Sequence, residues 1–244
     1  MTFPDARIRL LFLVSATVAV ALTTFLGTPA ASLSRDVWLW LAACSAGELL
    51  WLRLPLDRAT ISMSACFNFA ALLLLTRREA MLAVAVSVFA AELLAMRKPA
   101  VRALFNAAQT CLAAAAASWA FDGLSGGSRD LSELLRNLQL LPFGAAALSY
   151  YLVNRLAVSL AVSASRGVSL PQAWRANFRG RHELLSSATL FSLGLLVALC
   201  HQRVGMLGTV LVALPLIMVC DGYRRELERA AAALVPAIES RSAA

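Results

Sequence analysis

Seven polar side chains interrupt long apolar runs: Glu48, Asn68, Glu92, Asn106, Gln109, Asn154 and Arg155. Two carboxylates, four carboxamides and a guanidinium can pair with one another, hold a cation, or hydrogen-bond a small polar ligand. Glu48 lies five residues before Arg53, and Glu92 five before Arg97. Asn106 and Gln109 are three apart and share one face of a helix. The set carries two readings. As interhelical fastening, each contact is worth roughly 0.6–2 kcal/mol. As the lining of a polar cavity, it would take a small ligand or ion. Glu48, Glu92, Asn106, Gln109 and Arg155 are expected to converge, because an unpaired charge in an apolar medium costs several kcal/mol. Asn68 and Asn154 suit either reading. The sequence holds no Gly-rich phosphate loop, His-Glu-x-x-His, nucleophile elbow or Cys-x-x-Cys.

The elements that must position these groups are the apolar runs themselves, near 8–26, 37–52, 60–75, 79–96, 101–121, 138–165, 184–200 and 205–220. Several approach the ~20 residues that cross a hydrocarbon core as a helix. Sixty per cent of residues are hydrophobic and 15% charged, too little polar surface for a soluble domain of 244 residues. The runs are continuous and rich in Leu, Ala and Val, which favours helices over a β-barrel. The expected fold is all-α: a polytopic integral membrane bundle of about eight helices. Residues 1–220 form the membrane domain and 221–244 a cytoplasmic juxtamembrane helix and tail. The first run, behind Arg7 and Arg9, reads as a retained helix rather than a signal peptide.

The basic residues fix an orientation. With eight spans, one side receives Arg7 and Arg9; Arg53 and Arg58; Arg97, Lys98 and Arg102; Arg166, Arg175, Arg179 and Arg181; and Arg224, Arg225, Arg229 and Arg241. The other receives only Arg35, Arg77, Arg78, Arg129, Arg136 and Arg203, and Arg155 lies inside the sixth run. The rich side is cytoplasmic by the positive-inside rule, which places both termini inside. The net charge of +8 therefore belongs to span ends facing a lipid bilayer. Nucleic acid is not an expected partner, since no basic helix or aromatic-basic platform occurs. Cys44, Cys66, Cys111, Cys200 and Cys220 lack metal-ligand or redox spacing and read as small hydrophobes. His182 and His201 fall on opposite sides and cannot share a metal, so no cofactor is expected.

The breaks differ in character. Thr76-Arg77-Arg78-Glu79 predicts a tight hairpin, and Asp122 to Ser128 a flexible outer loop. Leu131 to Leu141 predicts an interfacial helix leading into span six. Arg166 to His182, with Pro171, Trp174 and Phe178, predicts an amphipathic segment on the inner leaflet. After the last run, Tyr223, Leu227, Ala230, Leu234 and Ala237 fall at heptad spacing. That seam is an oligomerisation candidate and predicts a homodimer, with a kink or restart at Pro236.

Several short segments resemble a known family. Arg102-Ala103-Leu104-Phe105-Asn106-Ala107-Ala108-Gln109, after the Glu-bearing span ending at Arg97-Lys98, is similar to a membrane module found ahead of bacterial HD-GYP-type phosphohydrolase and diguanylate cyclase domains. Leu52-Arg53-Leu54-Pro55 before Ile61-Ser62-Met63-Ser64, Leu152-Val153-Asn154, Trp174 to Phe178 and Leu211 to Leu216 match in order. Leu234 to Arg241 resembles the helix leading into the HD domain, and the chain ends three residues later. The resemblance spans roughly 45–240 and implies a non-catalytic sensory or anchoring module that relays a signal to a cytoplasmic, cyclic-dinucleotide-type partner. The His-Asp metal ligands of the HD domain have no counterpart here, so catalysis is not implied. The alternative is a small-molecule transporter or its substrate-binding membrane subunit. Both leave room for a small ligand that the sequence does not name. The expected location is the bacterial cytoplasmic (inner) membrane.

Overall fold

The computed structural model describes residues 6–29, 32–53, 60–177 and 181–242. The elements in chain order are α1 (Ala6–Gly27), α2 (Asp36–Leu49), β1 (Trp51–Arg53), β2 (Thr60–Ser62), α3 (Ser64–Leu74) and α4 (Arg77–Ala90). A π-helical turn, Ala91–Ala95, extends α4. Then follow α5 (Ala100–Leu124), α6 (Leu131–Arg136), α7 (Leu141–Arg166), α8 (Leu170–Asn177), α9 (Arg181–Val204) and α10 (Met206–Ser242). Among the described residues the architecture is helical apart from the antiparallel pair β1–β2, with Trp51 opposite Ser62. That pair closes the connection between α2 and α3, where Trp, Thr and Ile favour extended backbone.

Each apolar run holds a helix, and local chemistry sets the ends. Thr76 caps α4 in a reciprocal box with Glu79, which makes the α3–α4 turn tight. Pro142 sits in the first turn of α7, where its missing N–H costs nothing. Gly205, at φ +68°, takes the left-handed conformation that lets α10 fold back on α9.

The core centres on α5, which packs on α7, α4 and α1, while α3 packs on α9 and α2 on α4. Ala113, Ala114 and Ala117 of α5 are fully buried, so neighbouring backbones approach closely. Trp40, Phe67, Phe69, Leu72 and Phe121 fill the remaining space.

Among the described residues three helices are long and apolar enough to cross a membrane: Arg7–Gly27, Leu141–Arg166 and Glu183–Val204. Only 11%, 17% and 28% of their apolar windows is buried, so they present most of their surface outward. Phe12, Leu26, Leu148, Leu184 and Leu196 are among the exposed apolar side chains. In water such a belt would drive association; in a bilayer it is the solvated face. Shorter apolar helices are Ser64–Leu74 and Met206–Val219. At about 1.5 Å per residue, α3 is roughly 16 Å long, well short of a ~30 Å hydrocarbon core.

Two local expectations are corrected. The helix over 131–141 stops at Arg136, because Asn137 and a left-handed Leu138 end it, and its Leu131 and Leu134 are buried against the bundle. The restart at Pro236 does not occur. Helix α10 runs from Met206 to Ser242, since one absent backbone donor leaves the hydrogen bonds on either side in place. Residues 221–242 continue the helix of the last apolar run. The predicted inner segment does form a helix, α8, with Ala173 buried and Arg175 exposed; Phe178 lies outside the described residues, as do the side chains of Tyr223, Leu227, Ala230, Leu234 and Ala237.

Contacts sort the helix ends into two groups. One joins Arg78 to the Thr28 carbonyl, Ser34 to Glu79, Arg77 to Asp122, and His201 to Thr209. The other joins Glu48 to Ser64, Glu92 to Asn106, and Arg155 to Glu183. Successive long helices therefore run antiparallel between two ends.

Candidate functional site

The second end holds a buried polar knot built around Glu92. The π-helical turn widens the helix there, with the Met96 N–H donating to the Ala91 carbonyl at 2.9 Å. Arg97 then takes a left-handed conformation, φ +51°, and the Lys98 N–H reaches back to the Glu92 carbonyl at 2.9 Å. This reversal returns the Lys98 side chain over its own helix. Its Nζ lies 2.5 Å from Glu92 Oε1. From α5, Asn106 Nδ2 donates to Oε1 at 2.8 Å and to Oε2 at 2.7 Å. Glu92 is buried, while Lys98 keeps 28% of its side chain exposed and carries its charge out to the rim.

A second cluster adjoins the first. Glu48 on α2 hydrogen-bonds Ser64 and Asn68 of α3, and lies close enough to Glu92 and Lys98 to feel both charges. Asn68 Nδ2 donates to Tyr150 Oη of α7 at 3.2 Å. The buried Tyr150 ring meets Phe191 of α9 edge-on at 5.7 Å, and Phe191 meets Phe69 at 5.0 Å. Polar and aromatic contacts thus run from Glu48 of α2 through Asn68 and Tyr150 to Phe191 of α9.

Of the sequence candidates, Glu48, Asn68, Glu92 and Asn106 come together. Gln109 is buried one turn further along α5, and its Oε1 has no hydrogen-bond partner. Arg155 pairs with Glu183 of α9 at 2.5 Å and lies 5.3 Å from the Tyr151 ring centre. The cation beside Glu92 is Lys98. Asn154, beside Arg155, is half-buried. Among the described residues no group of three or more His, Cys, Asp or Glu side chains is placed to hold a metal.

Sequence reasoning missed Lys98 as a partner, read only as a topology charge, together with Ser64, Tyr150 and Glu183. It also missed a clamp at the opposite end. Asp122 accepts from Arg77 at 3.1 Å and from Arg129 at 2.7 Å. Arg129 also donates to the carbonyls of Leu72, at 3.2 Å, and Leu75. These are carbonyls that the end of α3 leaves unpaired within the helix. The available signal was a lone aspartate closing the fifth run opposite an Arg-Arg turn. Its pairing depends on the α3–α4 turn lying beside the end of α5, which spacing does not reveal.

Lys98 compensates Glu92 and hydrogen bonds link the remaining groups, so the knot fastens α2, α3, α4, α5 and α7 at one end. No curated protein and no solved structure matches the chain. A family model does, over residues 59–221, from before β2 to the middle of α10. With that match over most of its length and an apolar helical belt, the chain belongs to the MASE9 family of membrane-associated sensor domains.

Proposed function

We propose that the chain is a multi-pass sensory module of the bacterial cytoplasmic membrane that relays its state through α10 to a cytoplasmic output partner of the cyclic-dinucleotide type. The observation that carries this reading is α10 itself. It packs on α9 inside the bundle and continues without a break for 37 residues to Ser242. A continuous helix transmits rotation or displacement, where a flexible linker would not.

Leaving aside the short α6 and α8, the helices of the described residues alternate in direction, and by sequence the basic surplus belongs to the end holding Glu92. That supports eight spans with both termini cytoplasmic. Helix α5, about 37 Å long at 1.5 Å per residue, reaches across a bilayer; Gln109 and Thr110, which dilute its apolar character, are buried against neighbours. The short α3 is surrounded by protein, with Phe67 to Leu73 buried, so it need not span lipid alone. We take the module to be non-catalytic, since its cytoplasmic segments supply one histidine, His182, where a metal-dependent phosphohydrolase converges several donors.

A carrier is the second reading. It draws on the π-helical break at a buried glutamate, the kind of discontinuity that lines transporter sites. Counter-flow uptake in liposomes separates the two, and no saturable uptake is expected of a sensor.

The relay reading also predicts a homodimer aligned by the α10 seam. Single cysteines at Leu227 and Leu234 are expected to crosslink between protomers in membranes, with little product at Glu228. Equal crosslinking at all three positions would show that no seam exists.

A further inference from the structure

Between α7 and α9 lies a cavity of about 320 Å³, within the size range of small-molecule sites. Helix α9 packs chiefly on α3 and α10, and α7 on α5, which leaves the gap between α7 and α9 open. The floor is Phe69 of α3, and the walls include Phe143, Tyr151 and Phe191. No charged side chain lines it, and the lining is almost wholly apolar, with Tyr151, Ser187 and Ser192 as its hydroxyl-bearing residues. Both flanking helices are apolar enough to cross the membrane, and the rim residues Leu148 and Leu184 are exposed. The mouth therefore opens to hydrocarbon.

We infer that this cavity binds an uncharged, ring-containing lipophile that carries a hydroxyl or carbonyl group and enters from the bilayer. Four features select that chemistry. The mouth admits only molecules dissolved in lipid. The uncharged wall penalises an ion. Four aromatic rings favour a flat ring over a flexible acyl chain, because stacked and edge-on rings gain beyond area burial. The wall hydroxyls give one polar group of the ligand a partner in an environment where few others exist.

The inference deepens the sensory reading and rests on it, by naming the class of stimulus. It also supplies a route. Phe191 lines the cavity and touches Tyr150, which accepts from Asn68, which in turn contacts Glu48. Phe191 lies on α9, one glycine turn from α10. An occupant that moves the Phe191 ring presses on both the polar knot and the output helix.

The test uses the full chain in phosphatidylcholine nanodiscs, with 2-naphthol as probe and its own fluorescence as readout. Saturable binding at one site per chain is expected. Ala147→Phe, which fills the cavity, should weaken it by roughly tenfold or more. If that variant does not fold, Gly144→Leu serves, since a Cβ there meets nothing within 4 Å. Ser187→Ala combined with Tyr151→Phe should weaken 2-naphthol severalfold and leave naphthalene unchanged. Binding that is non-saturable, or unaffected by filling the cavity, would overturn the site. Displacement of 2-naphthol by 1-hexadecanol as effectively as by unlabelled ring compounds would show a crevice for bilayer chains and overturn the ligand class. Neither failure touches the relay reading, which stands or falls on topology and on the α10 seam.

Discussion

Gly194→Leu is expected to abolish the folded bundle, and Gly194→Ala to lower its stability by about 2 kcal/mol. A Cβ at this position would lie 2.5 Å from the Cys66 carbonyl oxygen and 3.2 Å from Phe69 Cβ. The first is backbone and cannot rotate away. Helix α9 therefore crosses α3 at a distance only glycine permits, the close approach that small residues allow between membrane helices. The sign is diagnostic. Gly→Ala within a helix ordinarily stabilises by about 0.5–1 kcal/mol through backbone entropy. Gly123→Ala, where nothing lies within 4 Å, should follow that ordinary pattern. Thermal melts of detergent-solubilised protein, followed by size-exclusion, measure both. An unchanged or raised Tm for Gly194→Ala would mean that α3 and α9 do not meet as described.

The second large effect is expected at the knot. Lys98→Ala removes the cation beside Glu92 and leaves a buried carboxylate with Asn106 alone. Breaking a buried pair from one side costs about 3–5 kcal/mol. Lys98 is partly exposed, so solvent screens the pair and the lower end applies. A loss of about 3 kcal/mol corresponds to a fall in Tm of roughly 10 °C. Adding Glu92→Gln should recover most of it, because a neutral amide can still accept from Asn106 and no charge is stranded. Equal melting of the single and double variants would show that Glu92 is not a buried charge held by Lys98.

Much of the fold was legible because its determinants are local. The apolar runs gave the helices, and Thr76 with Glu79 gave the tight α3–α4 turn. The polar candidates were legible by type: a Glu in an apolar run must find a partner, and Asn106 at the right depth supplied one. What stayed hidden depends on tertiary contact. Lys98 reaches Glu92 only because a π-helical turn and a left-handed Arg97 reverse the chain, and neither has a signature in composition. The pairing of Arg155 with Glu183 stayed hidden because helical rotation is set by packing against α9. The burial of Leu131 and Leu134 against the bundle stayed hidden too, since amphipathic spacing does not say what the apolar face packs on. The cavity between α7 and α9 has no linear signature at all: its rings come from three helices.

The central claim is that the end holding Glu92 faces the cytoplasm and that α10 leaves the bundle from that end. Single cysteines in a cysteine-less background, probed in intact cells with a membrane-impermeant maleimide, test it most directly. Ser34, Arg78 and Gly126 should label from outside, and Ser169 and Arg225 only after lysis. Arg78 matters most, since it separates a crossing α3–α4 pair from a hairpin that turns back within the bilayer. Labelling of Ser169 or Arg225 in intact cells, or protection of Arg78 and Gly126, would contradict the account.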